Sequence, residues 1–141
     1  MAVLLERSFP VASGAYTTAG EASTTIKRTL KQLGVSTEVL RHVSVACYEV
    51  ELNLVIHSLG GTLTLLVDPE KVTLISKDVG PGIPDIEKAM TEGFSTANEE
   101  ARTLGFGAGM GLPNMKRNAT GFDIQSEVGV GTTITMTFAL A

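Results

Sequence analysis

The chain has no tryptophan and a single cysteine, Cys47, among its 141 residues. One cysteine excludes an intrachain disulfide and any metal site built from several cysteines. The aromatic content of 5% argues against a surface on which the bases of single-stranded nucleic acid stack. Because Cys47 lies within an apolar helical pattern, we expect a buried small hydrophobic side chain rather than a reactive thiol.

An excess of basic charge and long apolar runs are also missing. Eleven basic and 15 acidic side chains give a formal net charge of −4, which does not suit a broad surface for nucleic acid. No apolar run approaches the roughly 18 residues needed to cross a bilayer. The first residues do not combine a basic segment with a long apolar core, so no signal peptide is expected. We therefore expect a cytoplasmic protein without a nucleic-acid or membrane partner.

The length of the chain fits one domain spanning residues 1–141, because domains commonly hold about 100–200 residues. Hydrophobic periodicity and turn residues divide it into strands and helices. The predicted elements are, in chain order, a strand at 3–11, helices at 17–34 and 36–58, strands at 62–67 and 72–77, a short helix at 84–90, a long loop at 91–104, a helix at 111–120, and strands at 122–127 and 132–140. Since the strands form local hairpins, the pattern predicts an α+β two-layer sandwich. Its sheet is mixed and largely antiparallel, with the helices on one face.

Three polar residues recur every four positions along the second predicted helix. Glu49, Asn53 and His57 therefore share one face of that helix. Asn53 is unusual in mid-helix, where its side chain competes for backbone hydrogen bonds. A solvated polar face is the alternative interpretation of this trio. Glu51 points away from Glu49, and we expect it to be a surface carboxylate.

Seven of the fifteen glycines lie between positions 80 and 111. Glycine within a folded element costs about 0.5–1 kcal/mol relative to alanine, so this concentration needs a reason. Asp78-x-Gly80-x-Gly82 directly follows a predicted strand. Its carboxylate can accept a hydrogen bond from an amino group on a flat ligand such as adenine, and the glycines let that ligand approach the backbone. A simple turn is the alternative, because Asp, Gly and Pro all favour turns.

A second glycine series, Gly105-x-Gly107-x-Gly109-x-Gly111, leads into a predicted helix. Exposed backbone N–H groups at a helix N-terminus favour an anion such as phosphate. Taken alone, the series also fits a flexible loop. It is neither the dinucleotide fingerprint nor a Walker P-loop, because no strand leads into it and no Gly-Lys-Ser/Thr follows. Gly129-x-Gly131-Thr132, taken alone, would be interpreted as a hairpin turn. The polar trio of the second helix and the three glycine motifs, occurring in this order, together favour nucleotide binding.

These motifs resemble those of the GHKL ATP-binding superfamily, which includes gyrase B, Hsp90, histidine-kinase catalytic domains and MutL. The segment 49–57 resembles the N box, 78–82 the first glycine box, 107–111 the second, and Gly131-Thr132 the terminal glycine–threonine element. The resemblance implies the Bergerat ATP-binding fold. It spans nearly the whole chain.

Within the superfamily, the chain looks like the anti-sigma-factor serine kinases and especially the stress-response switch kinases. The segments that carry this likeness are 85–90, 93–96, 111–117 and 121–127. Such kinases phosphorylate a serine or threonine on small STAS-domain partners. The resemblance therefore implies a serine/threonine protein kinase that uses ATP and Mg²⁺ and regulates by partner switching.

The resemblance also implies roles for particular residues. Glu49 would be the general base, Asn53 would ligate Mg²⁺ at the ATP phosphates, and Asp78 would bind the adenine amino group. The other residues expected to contact the nucleotide are His57, Gly80, Gly82, Ile83, Gly105, Gly107, Ala108, Gly109, Met110, Gly111, Leu112 and Thr132. Residues 91–106 would form a lid. Its one basic residue is Arg102, so contact with the γ-phosphate is left open.

The expected partner is a STAS-domain protein resembling an anti-sigma antagonist, with a sigma factor or another regulator as further candidates. Homodimerisation is common among such kinases. Two alternatives stay open, a nucleotide-gated binding module without kinase turnover and a histidine-kinase-like catalytic domain. Five basic residues could form a docking patch, although a solvated surface is the preferred interpretation: Lys27, Arg28, Arg41, Lys116 and Arg117.

Overall fold

The computed structural model describes residues 4–14, 18–80, 82–83, 86, 90 and 111–140. Its elements are β1 (Leu5–Val11), α1 (Glu21–Gln32), α2 (Thr37–His57), β2 (Gly61–Val67), β3 (Lys71–Asp78), α3 (Gly111–Asn118), β4 (Gly121–Glu127) and β5 (Gly131–Ala139). Both the α+β class and the order of these elements are as the sequence predicts. No helix within the described ranges is long and apolar enough to cross a membrane.

The five strands form one sheet in the order β1-β2-β3-β5-β4, and each pairing is antiparallel. Side chains alternate between the two faces of each strand. The face toward the helices is apolar, with Leu63 and Leu65 on β2 facing Leu74 on β3 and Met136 on β5, all fully buried. The opposite face carries threonines such as Thr64 and Thr135. This alternation fixes which strand residues can reach the helix side.

The long helix α2 lies at the centre of the helical layer. Ser36 caps its N-terminus by accepting a hydrogen bond from the Val39 amide at 3.3 Å. Its apolar stripe is fully or almost fully buried and consists of Val43, Ala46, Cys47, Val50 and Leu54. Burial raises the pKa of the Cys47 thiol to about 12, so the thiol is protonated and acts as a hydrophobic side chain, as expected. Truncating a buried leucine such as Leu54 to alanine costs about 2–5 kcal/mol.

The expectation that Glu51 is a surface carboxylate is wrong. Glu51 is buried, with 3% of its surface exposed. The carboxylate accepts hydrogen bonds from the amides of Gly20 at 3.0 Å, Ala22 at 3.3 Å and Ser23 at 2.9 Å, and from the Ser23 hydroxyl at 2.6 Å. The first N–H groups of a helix lack partners within the helix, and the N-cap residue of α1, Gly20, has no side chain to offer. A carboxylate from α2 satisfies them instead.

Other predicted boundaries differ modestly from the structure. The helix predicted at 17–34 begins at Glu21, after Gly20 in a left-handed conformation. The helix predicted at 111–120 ends at Asn118, because the Thr120 amide already donates to the Thr137 carbonyl at 2.8 Å. In the predicted helix at 84–90, a hydrogen bond of 2.9 Å joins the Met90 amide to the Ile86 carbonyl. The predicted loop at 91–104 and lid at 91–106 lie outside the described residues.

Candidate nucleotide-binding site

Asp78 lies at the end of β3, on the side of the sheet that faces the helices. One of its carboxylate oxygens, Oδ1, accepts a hydrogen bond of 2.8 Å from the Thr132 amide. Asp78 is half-buried, and the loss of solvent raises the pKa of its carboxyl group, although the Thr132 amide opposes that rise. The amide fixes the carboxylate plane and uses one of its two oxygens. Asp78 can thus accept a further hydrogen bond from an amino group of a ligand.

Glycines allow the loop after β3 to pack tightly on the turn between β4 and β5. Gly82 has φ +75°, and a Cβ there would lie 2.5 Å from the Glu127 carbonyl oxygen. Gly131 has φ +154°, and a Cβ there would collide with the Asp78 carbonyl. The Gly80 amide donates to the Val130 carbonyl at 3.2 Å. The structure therefore explains Gly82 by contact between two backbone segments, whereas the sequence assigned it to the approach of a ligand.

Ser126 is a site residue that the sequence did not single out. Its hydroxyl accepts a hydrogen bond of 2.7 Å from the Ile83 amide and lies 2.8 Å from the Thr132 hydroxyl. It also lies 3.3 Å from the Gly131 carbonyl. The available signal was its position two residues after Ile124 on β4, which places a serine on the strand face that otherwise carries apolar residues.

The start of α3 lies directly beside the polar face of α2. A Cβ at Gly111 would lie 3.2 Å from Glu49 Oε2 and 3.4 Å from Asn53 Oδ1. The structure thus brings together Glu49 and Asn53, four residues apart on α2, and the first residue of α3. A helix N-terminus carries partial positive charge and free N–H groups. The helix N-terminus suits an anionic ligand, whereas the two side-chain oxygens suit a hydroxyl donor or a cation beside that ligand.

Glu49 is half-buried beneath α3. Loss of solvent raises the pKa of its carboxyl group, while a hydrogen bond from the Asn114 side chain opposes that rise. The Asn114 side chain is itself oriented by Arg117, which donates to its Oδ1 at 2.7 Å. A carboxylate with a raised pKa accepts a proton more readily than a fully solvated one. Glu49 is therefore suited to act as a general base.

Several predicted site residues are described only in part or not at all. Gly105, Gly107, Ala108, Gly109 and Met110 lie outside the described residues, as does Arg102. His57 ends α2, but its side chain is not described. Leu112 is 7% exposed and packs in the hydrophobic core, and Ile83 packs against that core. Both side chains face the core, and the Ile83 amide already donates to the Ser126 hydroxyl at 2.7 Å. The Leu112 amide, in the first turn of α3, is the group that can serve a polar ligand.

In the parts of the chain that are described, no group of three or more His, Cys, Asp or Glu side chains could hold a metal ion. Among the described residues, the Asn53 carboxamide oxygen could hold a cation together with oxygens of the ligand. Mg²⁺ is commonly bound in this way, with one or two protein ligands plus substrate phosphates. The chemistry of the donor set thus fits a Mg²⁺ ion that arrives with a nucleotide.

Residues 38–141 match the family described as histidine kinase-, DNA gyrase B- and HSP90-like ATPase. The serine/threonine-protein kinase RsbT of Bacillus subtilis (strain 168) is 35% identical over 108 residues, which cover 74% of this chain and 75% of that protein. The anti-sigma F factor of Thermoanaerobacter sp. (strain X514) is 32% identical over 121 residues, 82% of this chain and 81% of that protein.

A solved structure has a similar fold. It is that of the SiaB–SiaC complex from Pseudomonas aeruginosa, and the matching chain superposes with a TM-score of 0.55 at 10% sequence identity. The match covers 97% of this chain and 90% of the other. At that identity the likeness concerns the fold alone. The family match and the two relatives show that this chain belongs to the histidine kinase-, DNA gyrase B- and HSP90-like ATPases, among the anti-sigma-factor kinases.

Proposed function

We propose that this protein is an ATP-dependent serine/threonine protein kinase that phosphorylates a STAS-domain partner and regulates by partner switching. The observation that supports this function best is the proximity of Glu49 and Asn53 to Gly111, the first residue of α3. Phosphoryl transfer depends mostly on positioning and on neutralising charge. The meeting point supplies a base, a polar oxygen and a helix N-terminus within one small region, in a chain that is 35% identical to the kinase RsbT.

The two ends of the site bind different parts of ATP in this proposal. Asp78, held by the Thr132 amide, accepts a hydrogen bond from the adenine amino group. The N-terminus of α3 donates N–H groups toward the phosphates, and Asn53 presents its Oδ1 beside Gly111. Because Gly111 has no side chain, nothing from that residue fills the space next to Asn53. When bound, Mg²⁺ would supply positive charge that offsets the charge on the phosphate oxygens.

Glu49 accepts the proton of the attacking serine or threonine hydroxyl. Its desolvated carboxylate lies next to the expected phosphate position, at the start of α3. General bases typically contribute about 10²- to 10⁴-fold in rate, which corresponds to about 3–5 kcal/mol. A neutral isostere at this position removes the base while it preserves the shape of the site.

The partner and the location also belong to this proposal. Relatives of this chain carry the names anti-sigma F factor and serine/threonine-protein kinase. We infer a small STAS-domain protein as phosphoryl acceptor and a sigma factor or another regulator as an alternating partner. A cytoplasmic location fits the ATP supply and the reduced state of a buried, unpaired Cys47.

The test is transfer of labelled phosphate from γ-³²P-ATP and Mg²⁺ to a panel of STAS-domain proteins from the same organism. The wild-type chain should label one member on serine or threonine, giving an acid-stable product. Glu49→Gln should bind ATP but lose about 10²- to 10⁴-fold in rate. Glu38→Gln is the matched control, because Glu38 is an exposed acid in the first turn of the same helix.

Four outcomes would contradict the proposal in different ways. Tight ATP binding without labelling of any panel member would favour a nucleotide-gated binding module. An acid-labile product would indicate histidine phosphorylation. Wild-type rates for Glu49→Gln would remove Glu49 from the chemistry. Failure of the wild-type chain to bind ATP or ADP with Mg²⁺ would refute the nucleotide site as a whole.

A further inference from the structure

Ser126 joins the β4–β5 hairpin to the loop after β3, a segment that lies far from it in the sequence. Its hydroxyl contacts the Ile83 amide in the loop after β3, 43 residues away, and the Thr132 hydroxyl in β5. Thr132 in turn donates its amide to Asp78 at the end of β3. We propose that Ser126 is the positioning residue of the adenine end of the site, a role that rests on the proposed ATP-dependent function.

The hydrogen-bonding capacity of one hydroxyl group explains how Ser126 can hold two segments together. A serine hydroxyl has one proton to donate and two lone pairs. The Ile83 amide donates to it at 2.7 Å, which leaves its own proton for Thr132 Oγ1 at 2.8 Å or the Gly131 carbonyl at 3.3 Å. Either hydroxyl can be the donor in the contact between Ser126 and Thr132. In both arrangements Ser126 accepts from the loop after β3 and is hydrogen-bonded to β5.

This arrangement sets the geometry of the Asp78 carboxylate indirectly. Thr132 is 7% exposed and donates its amide to Asp78 Oδ1, so its position fixes the plane of that carboxylate. The loop at 82–83 contacts the same turn, where Gly82 packs on the carbonyl of Glu127. Without the Ser126 hydroxyl, the Ile83 amide loses its acceptor and Thr132 loses a partner. Asp78 then presents its free oxygen less accurately to the adenine ring.

The phosphate end of the site is built from other elements. Glu49 and Asn53 lie on α2 and meet Gly111 on α3, and neither helix contributes to the contacts of Ser126. A change at Ser126 should therefore weaken nucleotide binding and base selectivity without slowing the transfer step. That pattern separates a positioning residue from a residue that takes part in the chemistry.

The experiment measures binding of Mg·ADP and Mg·IDP by calorimetry, since IDP lacks the amino group that Asp78 is proposed to recognise. Ser126→Ala should weaken ADP binding about 5- to 30-fold, the effect of losing one or two hydrogen bonds. IDP binding should fall less, so that discrimination between the two bases decreases. Ser126→Thr keeps the hydroxyl and should restore most of the affinity. Ser44→Ala is the control, because the Ser44 hydroxyl bonds to the Leu40 carbonyl of its own helix at 2.6 Å.

Kinetics of phosphoryl transfer provide the second readout. In Ser126→Ala the KM for ATP should rise while kcat stays within about twofold of wild type, the reverse of the pattern expected for Glu49→Gln. If the alanine variant does not fold, Ser126→Cys offers the same comparison, because a thiol has nearly the same shape and bonds more weakly.

The inference and the proposed function fail in distinguishable ways. If wild-type protein binds no ADP or ATP, the proposed function is refuted and the positioning role falls with it. If wild type binds ADP and Ser126→Ala binds it equally well, only the positioning role is overturned. A loss of kcat at unchanged KM would also overturn it, since Ser126 would then act on the transfer step.

Discussion

Replacement of Glu51 by alanine should destabilise the fold strongly, although Glu51 has no proposed role in chemistry. Its carboxylate accepts hydrogen bonds from three backbone amides and one hydroxyl at the start of α1. Ala22 and Ser23 are both 8% exposed, so water cannot readily replace the lost acceptor there. Gly20 is more open to solvent and can regain a water partner.

The magnitude follows from these contacts. Each buried donor left without a partner costs about 1–3 kcal/mol, and the loss of negative charge at a helix N-terminus adds about 0.3–1 kcal/mol. Two buried amides and the charge together give a loss of about 2–7 kcal/mol. Total stabilities of small domains are about 5–15 kcal/mol. For a chain of this length the change corresponds to a fall in Tm of about 4–28 °C.

Urea denaturation and calorimetry of three variants test this estimate. Glu51→Ala should show the full loss, and Glu51→Gln an intermediate one, because one of its acceptor oxygens becomes an amino group facing N–H donors. Glu21→Ala is the matched control: Glu21 is an exposed acid in the first turn of α1. That control should lose at most about 1 kcal/mol. A loss below about 1 kcal/mol for Glu51→Ala would show that α1 does not depend on this carboxylate.

Three further predictions follow from the site. Burial raises the pKa of Glu49. Because a base must be deprotonated, the transfer rate should rise with pH through that raised pKa and then level off. A transfer rate that does not change between about pH 4 and pH 8 would contradict this. Burial also raises the pKa of Asp78, so the folded protein binds a proton at this carboxyl more tightly than the unfolded chain does. The stability of the wild type therefore falls as the pH rises from the ordinary pKa of an aspartate to the raised pKa of Asp78. Asp78→Asn should therefore have a higher Tm than wild type at pH 7 and lose ADP binding, with the Tm advantage vanishing in acid. Gly131→Ala would force a Cβ into the Asp78 carbonyl at φ +154° and should lower the stability by about 1–3 kcal/mol in urea denaturation; unchanged stability would show that the backbone can relax there.

Local patterns were sufficient to predict most of the fold. The strands β2 to β5 lie within one residue of their predicted bounds, since alternation and turn residues are encoded within each strand. The polar face of α2 was also predictable, because residues four apart must share one side of a helix. The structure adds that Gly111 lies against Glu49 and Asn53, a contact between residues about 60 positions apart. Spacing alone cannot place one helix beside another.

The errors of the sequence-based predictions come from interactions between residues that are far apart in the sequence. The start of α1 is set by Glu51, whose hydrogen bonds reach residues 28 to 31 positions earlier. A charged residue two positions from a candidate catalytic residue gave no sign that it would be buried. Ser126 was missed for the same reason, since its contact with the Ile83 amide spans 43 residues. Composition and periodicity carry little information about such contacts.

The two carboxylates of α2 show how their surroundings determine what each can do. Glu51 has its oxygens occupied by four donors, and a carboxylate so engaged cannot turn toward a substrate. Glu49 is desolvated, faces the start of α3 and has its pKa raised. Perturbed carboxyl groups with capacity to exchange a proton mark functional sites more often than satisfied ones. Thus Glu51→Gln, measured on its folded fraction, should transfer phosphate within about threefold of wild type, whereas Glu49→Gln should lose at least about 10²-fold. Equal losses in the two variants would mean that the helix acts as a unit and that its two acids cannot be separated into structural and chemical roles.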